Sequence, residues 1–425
     1  MNTMKRTLFA SCLVLLLLAQ AFAQSDKAKA KKLDELIGPF AASNQFSGVV
    51  LASEDGKVIY EKAFGLANAD YKIPNQLNTR IGIASITKYM TAVILQRLID
   101  ANKVAMADKL NKYIPDFPNG DKITIEMLAR HRSGIPHRVM PPEAESLAYT
   151  SAEFIEKVKQ AKLAFEPGTN RLYSSAGYAV LARVLEIASG KTYQQLLQEY
   201  VFTPAGMTDS VDFEGDTVIE RRAQDYYLSP NGLINVPLKN YSFLVGAGSV
   251  YSTGRDVYRF AEALLDGKYG EAVKTSLLGQ ANFSGSGSTN GHRSYFEIAL
   301  DKKYGYVILA NSAGVFDIIS RGVLEILQGR EVTMKSFTIP KIIPNPNKNL
   351  EEFLGTYKRN DGSETNVVLK NGFLYSSDIK LYPTKPDCFF EYRFFGDACF
   401  IRDGSAKIKE IKWKGYGFDL TWVKQ

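Results

Sequence analysis

Ser85 and Lys88 stand three residues apart in Ile83-Ala84-Ser85-Ile86-Thr87-Lys88-Tyr89-Met90, and the chain then runs to Asn102 without Gly or Pro. Met90, Val93, Ile94, Leu98 and Ile99 fall at helical spacing, which predicts a helix whose opening turn carries both side chains on one face. A hydroxyl beside an amine suits nucleophilic attack on a carbonyl. The serine hydroxyl is too weakly acidic to attack alone, so a neighbouring base must take its proton. Lysine can be that base only if burial or a nearby cation lowers its pKa from about 10.4. The spacing by itself is common. Ser377-Asp378-Ile379-Lys380 repeats it in a stretch that reads as strand and turn, and no chemistry is assigned to it.

Tyr173 is the next candidate. It lies in Arg171-Leu172-Tyr173-Ser174-Ser175-Ala176-Gly177-Tyr178, ahead of a helix through Val180, Leu181, Val184, Leu185 and Ile187 that Gly190 closes. A Tyr ahead of a helix usually just packs, but near Lys88 its phenol could hold a lowered pKa and act as a general base toward Ser85 or the leaving group. Phe283 to Gly291 is small and polar throughout. It reads either as a flexible loop or as a strand edge whose backbone N–H groups can approach a substrate closely. His131, ahead of a Ser-Gly turn, reads as a structural residue. With His137 and His292 it has no metal-ligand spacing, so neither a metal nor a cofactor is expected.

The elements around these residues begin with Lys5, Arg6, an apolar run from Leu8 to Leu18 and Ala21-Phe22-Ala23. This is the pattern of a secretory signal peptide over residues 1–23, cut after Ala23, and its apolar run is short for a membrane span. Cys12 sits too early in that run for a lipidation site. Export to the periplasm or the medium is expected, with no stable membrane span after cleavage. Lys5 and Arg6 supply two of the formal charge of +7, and the remainder is spread out. Apart from Lys27 to Lys32 no basic tract suggests nucleic acid, and that cluster reads as a solvated helix start. Phe46 to Leu51 and Lys57 to Phe64 read as a hairpin across Ser53-Glu54-Asp55-Gly56. Pro-punctuated helix and loop follow to Lys162, and Tyr295 to Leu300 and Gly305 to Asn311 read as two more strands. Residues 336–349, with Pro340, Pro344 and Pro346, read as a linker between a domain of residues 24–335 and a small β domain of residues 350–425. In that last domain Asn371-Gly372 is a two-residue hairpin signal, and Phe418, Leu420 and Trp422 alternate as in a half-buried strand. Cys388 and Cys399 could bridge a hairpin, but Gly396-Asp397 reads as a better turn than Arg393-Phe394, so the bridge is not favoured.

From about Leu33 to Leu327 the chain resembles the serine β-lactamase and penicillin-binding protein superfamily. Within it the resemblance is to the class C-like branch of D-Ala-D-Ala carboxypeptidases, D-aminopeptidases and esterases. Phe46-Ser47-Gly48-Val49-Val50, Ala84-Ser85-Ile86-Thr87-Lys88, His131-Arg132-Ser133-Gly134, Glu166-Pro167-Gly168, Tyr173 to Tyr178 and Pro204-Ala205-Gly206-Met207 occur in family order. The resemblance implies an α/β (α+β) fold, with an antiparallel sheet and a helical domain and the Ser85 helix between them. The small all-β tail is similar to lipocalin-like domains. The resemblance maps the first motif onto Ser85 and Lys88, and the second onto Tyr173 and Ser175, where the family's Asn is lost. The third maps onto Gly285-Ser286-Gly287, where its cation or imidazole is lost. It places an oxyanion hole at the N–H groups of Ser85 and Ser288. The expected activity is a Ser-Lys-Tyr acyl-enzyme hydrolysis of a small-molecule or peptide amide or ester: a D-amino-acid peptide, a β-lactam or a small ester. Either Lys88 or Tyr173 could be the acylation base. The rival is a catalytically weak binding protein of the cell envelope.

Overall fold

The computed structural model describes residues 24–278, 281–312, 314–332, 339–347, 349–415 and 418–425. The expected signal peptide and its cleavage site, and part of the expected linker, lie outside the described residues. Five antiparallel strands form the central sheet: β1 (Gly48–Glu54), β2 (Lys57–Phe64), β3 (Asn282–Ser288), β4 (Arg293–Ala299) and β5 (Tyr304–Ala310), in the order β3-β4-β5-β1-β2. The hairpin and the two later strands were legible as such. The first turn is tighter than expected, closing on Asp55 and Gly56, both at positive φ.

Alternation along the inner strands builds two cores at once. Val49 and Leu51 of β1 and Val307 and Leu309 of β5 face one side, while Val50, Ala52, Ile308 and Ala310 face the other. Successive side chains point to opposite faces, so a strand covered on both sides must be apolar at nearly every position. Helix α1 (residues 24–42) and α5 (Phe316–Leu327) cover the second face. Three more helices fill the first core: α2 (Thr87–Asp100), α3 (Ser175–Ser189) and α4 (Gly254–Leu265). α2 buries Met90, Val93, Ile94, Leu95 and Leu98 and so lies inside the molecule. Lys29 in α1 pairs with Glu54, so the basic cluster there is only partly solvated. Among the described residues no helix is long and apolar enough to cross a membrane.

Nine antiparallel strands between Gly355 and Lys424 form the C-terminal all-β near-barrel. Asn371 and Gly372 turn its second hairpin at positive φ, as expected. The cysteine expectation is overturned. Cys388–Glu391 and Gly396–Arg402 are paired strands, Cys388 stands opposite Cys399, and the two form a disulfide with Cα atoms 4.1 Å apart. Gly396 and Asp397 are strand residues, and the turn is Tyr392 to Phe395. It needs no turn-forming residue because the buried Glu391 carboxyl accepts the N–H groups of Arg393 and Phe394 at 2.8 and 3.0 Å. This tip enters the second core of the larger domain, where Tyr392 and Phe395 join Leu228, Val315 and Phe316.

Candidate active site

Ser85 sits in a 3-10 turn (Ala84–Ile86) that runs straight into α2. Two hydrogen bonds hold the turn in a strained shape. Ile83 N donates to Val250 O at 2.9 Å, Ser294 Oγ donates to Ile83 O at 2.7 Å, and Ala84 adopts a left-handed φ of 45°. A non-glycine residue in that region is strained and persists only where its surroundings over-determine it. The sharp turn brings Ser85 to the cleft while Lys88, one helical step on, stays buried beneath it.

Lys88 Nζ lies 3.2 Å from Ser85 Oγ, 3.2 Å from Ser175 Oγ and 2.7 Å from the carbonyl oxygen of Ala247. That carbonyl belongs to Gly246-Ala247-Gly248, where Gly246 at φ 75° lets the loop press against Ala182 of α3. No carboxylate pairs with this ammonium among the described residues. Burial therefore acts unopposed and lowers the lysine to about 7, into the range of a general base at neutral pH.

Tyr173 donates its hydroxyl to Ser85 Oγ at 2.8 Å. Its phenol is raised, chiefly by burial. This corrects the expectation of a lowered tyrosine, because a lysine that is itself half neutral at pH 7 offers little charge to favour a phenolate. The ring lies between His131 and His137, at centroid distances of 4.6 and 5.4 Å. His131 Nδ1 accepts the N–H of Ser174 at 3.1 Å, and His137 Nδ1 accepts that of Ser175 at 3.2 Å. The protons of the neutral rings then belong on Nε2. Burial first, and the Lys88 charge second, lower both imidazoles to about 4. The two imidazoles hold the backbone immediately after the tyrosine in a fixed position. Ser174 caps α3 through Gly177 N at 2.8 Å, and Gly190 ends that helix at φ 74°, as its sequence predicts.

Ser85, Tyr173 and Ser288 stand between two cavities of about 140 and 560 Å³. The smaller adjoins His137, Arg138 and the paired Lys239–Glu145; the larger adjoins Lys88, Arg171 and Arg293. Arg293 is neutralised by Asp317, at 2.6 Å, whereas the exposed Arg171 guanidinium has no carboxylate partner among the described residues.

Residues 33–320 match the Beta-lactamase family. The chain belongs to that family. It is 30% identical over 223 residues to the putative penicillin-binding protein PbpX of Bacillus subtilis, covering 52% of this chain and 56% of that one. It is 29% identical over 252 residues to the D-alanyl-D-alanine-carboxypeptidase/endopeptidase AmpH of Escherichia coli, covering 56% and 64%. The chain therefore spans between half and two thirds of the length of these relatives. Its fold is similar to that of FmtA from Staphylococcus aureus, with a TM-score of 0.63 at 20% identity over 74% of this chain and 91% of that one.

Against the family's pattern, Ser175 keeps one bond of the lost Asn, the one to Lys88. Ser286, Gly287 and Ser288 all line the larger cavity. Gly287 has no room for a side chain, since a Cβ there would meet Ile83 O and lie 2.8 Å from Ser85 N. Gly285 does not belong with them. It lines neither cavity, and its α-carbon faces the aromatic core, where a Cβ would lie 2.6 Å from the Phe296 ring and 2.8 Å from that of Tyr89. The space beside Gly285 is filled, with Tyr89 packed edge-on against Phe283 and Phe296. Tyr89, His137 and Arg171 escaped the sequence reading. Only Tyr89, next to Lys88 on the same helix, carried a signal that could have found it.

Proposed function

We propose that this protein is an exported serine hydrolase, periplasmic or secreted, that works through an acyl-enzyme on Ser85. One observation carries the reading: Ser85 Oγ lies 3.2 Å from a buried lysine and 2.8 Å from a tyrosine hydroxyl. Neutral Lys88 takes the Ser85 proton as Oγ bonds to the carbonyl carbon, and the oxygen becomes an oxyanion. The backbone N–H groups of Ser85 and Ser288 receive it, donors typically worth about 2.7–4 kcal/mol each in the transition state. As the carbonyl re-forms, the leaving amine or alkoxide departs with the Tyr173 proton, and the Lys88 ammonium restores the phenol. Neutral Lys88 then takes a proton from water as it adds to the acyl carbon, and returns that proton to the Ser85 oxygen as the ester bond breaks and the acid leaves. With Tyr173 raised and Lys88 near neutrality, the lysine is the acylation base and the tyrosine the acid.

The substrate is an amide or ester, taken from D-amino-acid peptides, β-lactams or small esters. The carboxypeptidase relative favours the first class, and the filled place at Gly285 favours breadth toward esters. The test is intact mass of the mature chain after brief incubation with a penicillin and, separately, an activated ester, beside Ser85→Ala. A mass increase or turnover that vanishes in the variant is expected. Equal reaction in Ser85→Ala, or none in the parent chain, would refute the hydrolase and favour the cell-envelope binding protein.

A further inference from the structure

The near-barrel carries an open cavity of about 450 Å³, lined by none of the residues around Ser85. Its size falls in the range of small-molecule sites, roughly 300–1,000 Å³. The lining divides by chemistry. Trp413, Leu420 and Trp422 come from the last two strands, where Trp413 stands opposite Leu420 and Ile411 opposite Trp422. That register puts both indoles on the inner face. Thr365, Ser376 and Ser377 supply hydroxyls, with Thr365 Oγ1 lying 2.7 Å from Ser376 Oγ and 3.1 Å from Ser377 Oγ. Asp378 lines the cavity too, paired with Arg393 at 2.8 Å.

One donor here is left unmade. The Nε1 atom of Trp422 is buried and has no hydrogen-bond partner among the described residues. Trp413 Nε1 is turned to the Glu391 carboxyl, which also accepts from the backbone of Arg393 and Phe394. A buried N–H without an acceptor is costly, and native proteins rarely tolerate it. The Trp422 indole needs an acceptor oxygen, and the described residues supply none.

We propose that this cavity binds a carbohydrate ring. A pyranose has an apolar face to lie on the indoles and an edge of hydroxyls that accept as well as donate. One of those hydroxyls takes the Trp422 Nε1–H bond, and the others donate to Asp378 and to the Thr365–Ser376 pair. A fatty acyl chain would leave the Trp422 N–H without an acceptor. An anion would meet Asp378 and Glu364 with only the already paired Arg393 to receive it.

The chain contains two tryptophans, and both line this cavity, so tryptophan emission reports on it alone. The mature chain carrying Ser85→Ala is titrated with cellobiose, with chitobiose and with sodium decanoate, and the affinities are checked by calorimetry. Saturable binding of one disaccharide is expected, equal in the parent chain and in Ser85→Ala. It weakens roughly tenfold in Trp422→Phe, which keeps a ring and removes the N–H. Where Trp422→Phe loses its native circular dichroism, Thr365→Val makes the same test from the hydroxyl side. Binding of decanoate alone, no saturable change with any of the three, or sugar binding untouched by both variants would each overturn the proposal. None of these outcomes depends on whether Ser85 reacts.

Discussion

Replacing Lys88 by methionine should abolish turnover and stabilise the protein. Burial moves this lysine from 10.5 to about 7. At about 1.36 kcal/mol per pKa unit, keeping it where it can act costs the folded state roughly 4 kcal/mol at pH 7. The sign follows from proton binding. Between about pH 7 and 10.5 the unfolded chain holds a proton that the folded chain has lost, so stability rises with pH across that window. The penalty is complete below it and gone above it. Methionine is apolar and unbranched and fills similar space. Against it stand the lost bonds to Ser85, Ser175 and Ala247, of which the unpaired Ala247 carbonyl should cost about 1–3 kcal/mol. The net expectation is a variant roughly 1–3 kcal/mol more stable near pH 6 to 7, an advantage that shrinks or reverses by about pH 9.5. Urea unfolding followed by far-UV circular dichroism reads this, because the long helices belong to the catalytic domain while both tryptophans report on the β domain. A variant less stable near neutral pH, or a difference independent of pH, would refute the account of Lys88 as a desolvated base.

The same lysine sets the pH profile. kcat/KM should rise about tenfold from pH 6 to 8 around a midpoint of about 7, and a flat profile would exclude Lys88 as the base. Gly285→Ala should lower stability by about 1–3 kcal/mol, because the new Cβ would lie 2.6 Å from Phe296 and 2.8 Å from Tyr89; an unchanged melting temperature would mean that the space is open. Cys388→Ala with Cys399→Ala opens a bridge across a separation of 11 residues and should destabilise the β domain by about 3 kcal/mol, read from tryptophan emission in urea. An unshifted midpoint would mean that the Glu391-capped turn holds the hairpin without the bridge.

The parts of this molecule that follow from local pattern were legible in the chain. Helical spacing after Lys88, the apolar runs of β1 and β5, Gly190 at a helix end and the Asn371-Gly372 turn are each decided by neighbours in sequence. The meeting of Ser85, Lys88, Tyr173 and Ser288 came from motif order, since their contacts span 88 residues between Ser85 and Tyr173 and no periodicity links them. What stayed hidden depends on packing from afar. A tyrosine beside Lys88 looked like a residue whose phenol the cation would acidify, but the same burial that neutralises the lysine withdraws that cation. Gly285 looked like a vacancy because a missing side chain is visible in sequence, whereas the rings of Tyr89 and Phe296 that occupy the space are not. The Tyr392 to Phe395 turn carries no turn residue, and its donors are met by one buried carboxyl, Glu391, that composition cannot distinguish from a surface acid.

That aromatic turn also bears on how such a chain can be inherited. Tyr392 and Phe395 reach out of the β domain into the core beside Leu228, Val315 and Phe316, so neither part closes its own surface there. A truncated copy ending at the prolines near Pro340 would expose the pocket that Phe395 fills, against Leu228 and Gly314. Exchange of the β domain for an unrelated module would fail at the same place unless the Tyr226–Ser229 strand that supplies Leu228 were exchanged with it. The two parts are therefore expected to pass between genomes as one piece, with changes at Leu228 and Phe395 arising in pairs.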